Sequence, residues 1–200
     1  MPLVPINEKQ YNIEVALKYG TLDNFTNDII YKNPKLYLLD EAAEALQRAS
    51  SLAQAMGYKL LVWDGYRPLA AAQKLWDAVP DPRFVSRPDE TGPLGHARGV
   101  AVDLTLVDEH GQPLDMGTAF DAFTELSYHK NTEVSVTVQK NRFMLLGLMK
   151  AAGWDFITNE WWHYQLPNLR SYPLVKDQEI DSLIMGECSD ASLNGLLKSG

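Results

Sequence analysis

The stretch NEWWHYQLP, Asn159–Pro167, places a glutamate and a histidine three residues apart beside two tryptophans. A histidine that binds a metal and a nearby carboxylate that moves protons are the parts of a metal-assisted hydrolase. The alternative is a core strand rich in aromatic residues, in which Glu160 and His163 are incidental, because short motifs often match by chance. On a regular strand, residues three apart point to opposite faces. The two side chains therefore share a site only if the backbone bends between them, or if Glu160 lies in the preceding turn.

A second pair of candidate ligands, His96 and Asp103, lies in the stretch GHARGVAVDLTL. An extended chain would separate them by about 23 Å at about 3.3 Å per residue, so a shared metal requires the chain to curl. Gly95 and Gly99 provide the backbone freedom for a curl just before a predicted strand. On that strand Asp103 shares a face with small side chains. The alternative is a solvent-facing aspartate and a loop histidine.

The stretch WDGYRP places Arg67 directly before a predicted helix. The positive end of the helix dipole makes a guanidinium there unfavourable by up to about 1 kcal/mol. Helix stability therefore does not explain Arg67, which is a candidate cation for an oxyanion. The alternative is a structural pair with Asp64 or with a surface acid.

Taken together, His96, Asp103 and His163 make a three-ligand zinc set with a fourth position open, as in catalytic zinc sites. Glu160 is then available as a general base and Arg67 as an oxyanion cation. This set predicts a zinc peptidase with one zinc ion per chain. The other two histidines, His110 and His129, lie in polar stretches and are predicted to be surface residues.

Composition narrows the class of partner. The net charge is −8 and the 18 lysines and arginines form no long run, which argues against nucleic acid and anionic membranes. A single cysteine, Cys188, cannot form an intramolecular disulfide. The segment MPLVPINEKQ lacks the pattern of a signal peptide, and no apolar run is long enough to span a membrane. We expect a cytoplasmic protein, with a removed export signal as the alternative.

Alternating helix and strand patterns predict an α+β fold with a central, mainly antiparallel sheet flanked by helices. Residues 1–185 are expected to form one domain, with two small domains as the alternative, and residues 186–200 a flexible tail. A long loop over Pro80–Pro93 is a candidate functional segment. The predicted helices are Glu41–Met56 capped by Asp40, Pro68–Val79 and Val138–Ala152, and the predicted strands are Lys59–Asp64, Gly99–Asp108 and one around Trp161–Leu166.

The segments DGYRP, GHARGVAVDLTL, LDMGTAFDAF and EWWHY together resemble the VanX-type D-alanyl-D-alanine dipeptidases, and more loosely the zinc D,D-carboxypeptidases. The resemblance runs from about Tyr58 to Gln165. It implies the zinc D,D-peptidase (Hedgehog/D-Ala-D-Ala peptidase-like) fold and hydrolysis of a small zwitterionic dipeptide.

The resemblance also implies a role for each candidate residue. His96, Asp103 and His163 match the zinc ligands, Glu160 the catalytic base and Arg67 the transition-state stabiliser. Asp121 matches the aspartate that holds the substrate ammonium group, a role for which Asp115 is the alternative.

One departure concerns substrate binding. Leu94 and Gly95 stand where family members commonly carry serines that help to bind the dipeptide. Trimming of longer peptidoglycan stems by a D,D-carboxypeptidase, and a non-catalytic zinc-binding module, are the alternative functions. Oligomeric state, and a role in cell-wall recycling as against vancomycin resistance, are left open.

Overall fold

The protein is described by a computed structural model that covers residues 2–89, 92–180 and 183–186. Its α-helices are α1 (Glu8–Tyr11), α2 (Asp40–Ala55), α3 (Leu69–Ala78) and α4 (Val136–Ala151). Its strands are β1 (Leu3–Pro5), β2 (Glu14–Val15), β3 (Tyr37–Leu39), β4 (Lys59–Asp64), β5 (Ala101–Val107), β6 (Asp155–Phe156) and β7 (His163–Gln165). Within the described ranges no helix has the length and apolar character needed to cross a bilayer.

The central sheet has five strands in the order β2-β4-β5-β7-β6. Only the β2–β4 pair is parallel, and every other neighbouring pair is antiparallel. A separate antiparallel pair joins β1 to β3. The prediction of an α+β fold with a mainly antiparallel sheet is therefore confirmed.

Strand β5 lies at the centre of the sheet, and all seven of its residues are buried. One face contributes Val102, Leu104 and Leu106 to the main hydrophobic core, which also contains residues of α2 and α4. Burial of both faces explains why this strand is a nearly continuous apolar run. The solvent-facing alternative for Asp103 is wrong, because this residue is only 2% exposed.

Helix α2 begins one residue earlier than predicted. Leu39, the last residue of β3, occupies the N-cap position and provides no side-chain hydrogen bond. Asp40 lies in the first helical turn instead, where its carboxylate complements the positive end of the helix dipole. The prediction of Asp40 as the cap is therefore wrong, whereas Gly57 follows the helix with φ of 82°, as a C-terminal stop requires.

The predicted tail is outside the described residues apart from Gly186. The assignment of residues 1–185 to one domain stays a prediction. The described C-terminal segment packs against the rest of the chain: Val175 N–H donates to the carbonyl of Ala97 at 3.0 Å, and Tyr66 Oη donates to the carbonyl of Val175 at 2.9 Å.

Candidate metal centre and cleft

Strand register brings three carboxylate and imidazole side chains into one row. Asp103 on β5 lies directly opposite His163 on β7 and is paired on its other side with Asp64 on β4. Directly opposed residues of antiparallel strands project from the same face of a sheet, with Cβ atoms about 4.5–5.5 Å apart. A register shift between Val62 and Asp64 marks a bulge, of the kind that re-aims side chains near functional sites.

His96 reaches the row from a short 3-10 helix, His96–Arg98, that precedes β5. Leu94 and Gly99, on either side of this turn, have positive φ angles of 54° and 67°. A Cβ at Gly99 would lie 3.1 Å from the backbone nitrogen of Leu39, so glycine is required there by packing as well as by conformation. The predicted curl is present, although Leu94 rather than Gly95 carries the second positive φ.

The ligand atoms of His96, Asp103 and His163 all lie within 4.8 Å of one another, and the three residues are buried. His96 Nε2 is 3.2 Å from His163 Nδ1 and 3.3 Å from an Asp103 oxygen. His163 Nδ1 is 3.0 Å from the other Asp103 oxygen. These residues could therefore hold a metal ion.

The outer hydrogen bonds of the two histidines test whether a cation fits. His96 Nδ1 lies 2.7 Å from the carbonyl oxygen of Gly65, which assigns the proton to Nδ1 and a lone pair to Nε2. His163 Nε2 lies 3.1 Å from Oε1 of Gln165, which assigns the lone pair to Nδ1. Two lone pairs and a carboxylate then face one another in a buried space. A cation between these acceptors would bind to all three, and two imidazoles with one carboxylate suit zinc.

Glu160 lies in the turn between β6 and β7, as one of the two alternatives from the sequence requires, and lines the same cleft as the three candidate ligands. Burial raises the pKa of its carboxyl to about 7; the Asp103 carboxylate adds to the rise, while His163 and Arg67 oppose it. A carboxyl group with a pKa near neutrality can both accept and release a proton at physiological pH.

Arg67 is held between two aspartates. Its Nε and Nη2 both lie 2.8 Å from Oδ2 of Asp64, and Nη2 also lies 3.2 Å from Oδ2 of Asp103. The guanidinium is 4.9 Å from the centre of the Tyr19 ring, and Tyr31 donates a 2.8 Å hydrogen bond to the other oxygen of Asp64. The pair with Asp64 considered from the sequence is present, but Arg67 also lines the cleft beside the candidate ligands.

Asp121 lines the cleft and accepts a 2.8 Å hydrogen bond from the hydroxyl of Tyr19. Loss of solvent raises the pKa of its carboxyl well above the ordinary value, and the Asp103 carboxylate raises it further. The described residues give Asp121 no salt bridge, so a cation entering the cleft would stabilise its charged form. Asp115, the alternative, instead accepts from the backbone N–H of Gly117 in an exposed turn.

The cleft that these residues share encloses about 740 Å³, including space open to solvent. Leu94 is 4% exposed and brings an apolar side chain to the cleft where the resemblance implies a serine hydroxyl. The predicted loop contributes through Phe84 and Val85, and Asn159 Nδ2 donates to the Arg83 carbonyl at 2.5 Å. The apolar lining includes Phe25, Leu75, Phe84, Leu94, Phe123 and Ile157.

The remaining two histidines differ from each other. His110 is 76% exposed at its side chain, as predicted. His129 is only 5% exposed, so its assignment to the surface is wrong. Its ring packs against Phe156 and Tyr164, with ring centres 5.0 and 6.3 Å away. The polar residues around it in SYHKN do not predict this burial, because it depends on contacts with strands that are distant in sequence.

Burial predicts that His129 destabilises the protein in acid. Desolvation, aided by the Arg142 charge, lowers the pKa of His129 from 6.5 to about 4. The unfolded chain therefore takes up this proton first as the pH falls, and stability is lost between pH 6.5 and about pH 4. From pH 7.5 to 4.5 the parent should lose about 2–3 kcal/mol more unfolding free energy than His129→Phe. Urea titrations at both pH values measure this; equal losses in the two proteins would contradict the prediction.

Comparisons with known proteins agree with this fold. A sequence model of the D-Ala-D-Ala dipeptidases matches residues 1–182, and the chain belongs to this family of metallopeptidases. The family prediction from the sequence motifs is therefore confirmed.

Individual relatives extend the comparison. The D-alanyl-D-alanine dipeptidase of Escherichia coli (strain K12) is 43% identical over 167 residues, which is 84% of this chain and 86% of the relative. That of Enterococcus faecium is 33% identical over a matched length of 180 residues, and the match covers 80% of this chain and 89% of the relative. That of Streptomyces coelicolor is 31% identical, with the same coverage of both chains.

Proposed function

We propose that the protein is a zinc-dependent dipeptidase that hydrolyses D-alanyl-D-alanine to two molecules of D-alanine. The observation that carries this proposal is the buried cluster of His96, Asp103 and His163, whose candidate ligand atoms lie within 4.8 Å of one another at the side of one cleft. The names of the relatives supply the substrate.

In this proposal His96 Nε2, His163 Nδ1 and the Asp103 carboxylate hold one zinc ion. A zinc ion bound there would supply Lewis acidity to the attack on the peptide carbonyl. The carbonyl of Gly65 and the amide of Gln165 fix the two imidazole rings from behind, and such outer partners keep ligand nitrogens correctly protonated and aimed.

Glu160 moves the proton in both halves of the reaction. Its carboxylate removes a proton from the attacking water, and the same group then delivers that proton to the leaving amine. The pKa near 7 that burial gives this carboxyl suits both steps. Trp161 and Trp162 are buried beside it, and Trp162 contributes an apolar side chain to the cleft lining.

Arg67 faces the oxygen on which negative charge develops. Asp64 and Asp103 hold the guanidinium from one side, and the Tyr19 ring supports its face, so the donors need little reorganisation during the reaction. Preorganised donors of this kind stabilise an oxyanion more effectively than mobile ones.

Asp121 binds the substrate ammonium group, which in a dipeptide lies one residue from the scissile bond. The hydroxyl of Tyr19 fixes the carboxylate, and no described cation pairs with it. Such an anion favours a free dipeptide over a stem peptide, in which that nitrogen is an uncharged amide. This preference separates a dipeptidase from a D,D-carboxypeptidase.

Substrate blocking tests this proposal. N-acetylation removes the ammonium charge and leaves Asp121 without its partner, a loss that costs roughly 2–5 kcal/mol for a buried charge pair. N-acetyl-D-Ala-D-Ala should therefore be cleaved about tenfold to a thousandfold more slowly than the free dipeptide, since about 1.4 kcal/mol corresponds to tenfold. The measurement is kcat/KM for both substrates.

Asp121→Asn provides the internal comparison. This variant should slow cleavage of the free dipeptide and leave the acetylated one unchanged, which narrows the gap between them. Asp115→Asn is the matched control, because this nearby aspartate caps an exposed turn. Cleavage of the acetylated dipeptide or of a stem pentapeptide as fast as free D-Ala-D-Ala would instead favour the carboxypeptidase.

A further inference from the structure

Arg142 on α4 is a buried cation whose described hydrogen bonds all go to backbone carbonyls. It is only 2% exposed. Its Nε and Nη2 donate to the carbonyl of Met116 at 2.8 and 2.5 Å, and its Nη1 donates to the carbonyls of Leu126 and Tyr128 at 2.8 and 3.2 Å. A buried guanidinium is costly unless its donors are satisfied, so these three carbonyls account for its presence.

The carbonyls lie at the two ends of one loop. Met116 begins this loop, Leu126 and Tyr128 end it, and Asp121 lies near its middle. We define residues 116–128 as the Asp121 loop. Arg142 thus links the two ends of this loop through its hydrogen bonds. Inside the loop, Ser127 Oγ donates to the carbonyl of Ala122 at 2.7 Å.

The backbone of Asp121 needs such support. Its φ is +56°, in the left-handed region that costs a residue other than glycine about 1 kcal/mol or more. A strained conformation persists only where its surroundings over-determine it. Tyr19 fixes the Asp121 carboxylate, but it does not bind the loop backbone, which Arg142 holds at both ends.

The same guanidinium also lies behind the Glu160 turn. Arg142 Cζ is 5.9 Å from the centre of the Trp161 ring, and Trp161 Nε1 donates to Thr118 Oγ1 of the Asp121 loop at 2.8 Å. Trp161 directly follows Glu160. One buried side chain therefore connects the segment that carries the proposed ammonium anion to the segment that carries the proposed base.

We infer that Arg142 is a positioning residue that fixes Asp121 relative to the reactive centre and so sets the selectivity for a free ammonium group. The inference deepens the proposed function and rests on it. The planar guanidinium matters because one side chain must reach three carbonyls in fixed directions, which an ammonium group cannot reproduce.

The test compares Arg142→Met with the parent on free and N-acetylated D-Ala-D-Ala. We expect at least about a tenfold loss of kcat/KM for the free dipeptide, expressed mainly as a higher KM, with unchanged zinc content and unchanged cleavage of the acetylated dipeptide. In an Asp121→Asn background, Arg142→Met should have no further effect on the free dipeptide, because the two changes act through one carboxylate.

Arg142→Lys keeps the charge and the aliphatic part of the side chain, so its kcat/KM for the free dipeptide should fall less than that of Arg142→Met. It replaces Arg142→Met in the comparison if that variant does not fold. Arg48→Met is the matched control: Arg48 also donates to a backbone carbonyl, that of Ala152 at 3.1 Å, but lies outside the cleft lining. It should leave both substrates unchanged.

The outcomes separate the inference from the proposed function. A parent enzyme that cleaves neither substrate overturns the proposed function. A parent that favours the free dipeptide, with Arg142 variants that lose activity equally on both substrates, overturns the inference alone, because this pattern reports general destabilisation.

Discussion

Replacing Glu160 by glutamine is expected to leave zinc bound while turnover of D-Ala-D-Ala falls by more than the roughly 10²–10⁴-fold typical of an acid–base group. The loss should be larger because the same carboxylate serves both proton transfers. Glutamine keeps the shape of the side chain but cannot take up a proton. The measurements are kcat for the free dipeptide and zinc content by elemental analysis.

Glu109→Gln is the matched control. Glu109 is 82% exposed at its side chain and lies in the turn after β5, outside the cleft lining, so parental kcat is expected. Near-parental turnover by a folded, zinc-loaded Glu160→Gln enzyme would rule out the base role.

Local sequence patterns were sufficient to predict the elements that carry the site. The apolar run at Lys59–Asp64 matches β4, and helix α4 was predicted within two residues at its start. The turn position of Glu160 was one of two alternatives, the other being a bend in the backbone, because Glu160 and His163 cannot face the same side of one regular strand. These predictions succeeded because each depends on a few neighbouring residues.

The pairing of distant residues could not be predicted from such patterns. Asp103 and His163 are 60 residues apart and meet because β5 and β7 are neighbours with those two residues in register. The register follows from packing of the whole sheet, and a shift by one residue would turn every side chain of a strand to the opposite face. The donor chemistry of these residues suggested one zinc site and the resemblance to a known family supported it, but neither predicts the register that places Asp103 opposite His163.

The residues that support the site, Tyr19, Tyr31 and Arg142, were even harder to predict from local sequence patterns. Tyr19 reaches Asp121 across 102 positions of sequence, and Tyr31 reaches Asp64 across 33. Arg142 lies within helix α4, and a charged residue in a helix is typical of the solvent-exposed face. Its burial depends on the carbonyls of a loop that local patterns do not place. The roles of these supporting residues depend on tertiary contacts, so they can be recognised only once the fold is known.

Removing any one of the three proposed zinc ligands is expected to abolish both metal binding and turnover. Loss of a partner that merely supports a ligand typically costs about 10–100-fold in metal affinity. Loss of a ligand itself should cost more, because two protein donors remain where catalytic zinc requires three. His96→Ala, Asp103→Ala and His163→Ala should each retain little zinc after gel filtration, whereas elemental analysis of the parent should give about one zinc per chain.

The loss of zinc should be specific to the three proposed ligands and should not follow from the removal of just any histidine. His110→Ala is the matched control, since His110 lies exposed in the turn after β5 and should retain full zinc and activity. Asp103→Ala should be the most damaging of the three, because Asp103 contacts both histidines and also Arg67. Its loss leaves the guanidinium bound to Asp64 alone and removes the only anion among the proposed ligands. Full zinc retention by two of the three variants would contradict the ligand set and the mechanism that depends on it.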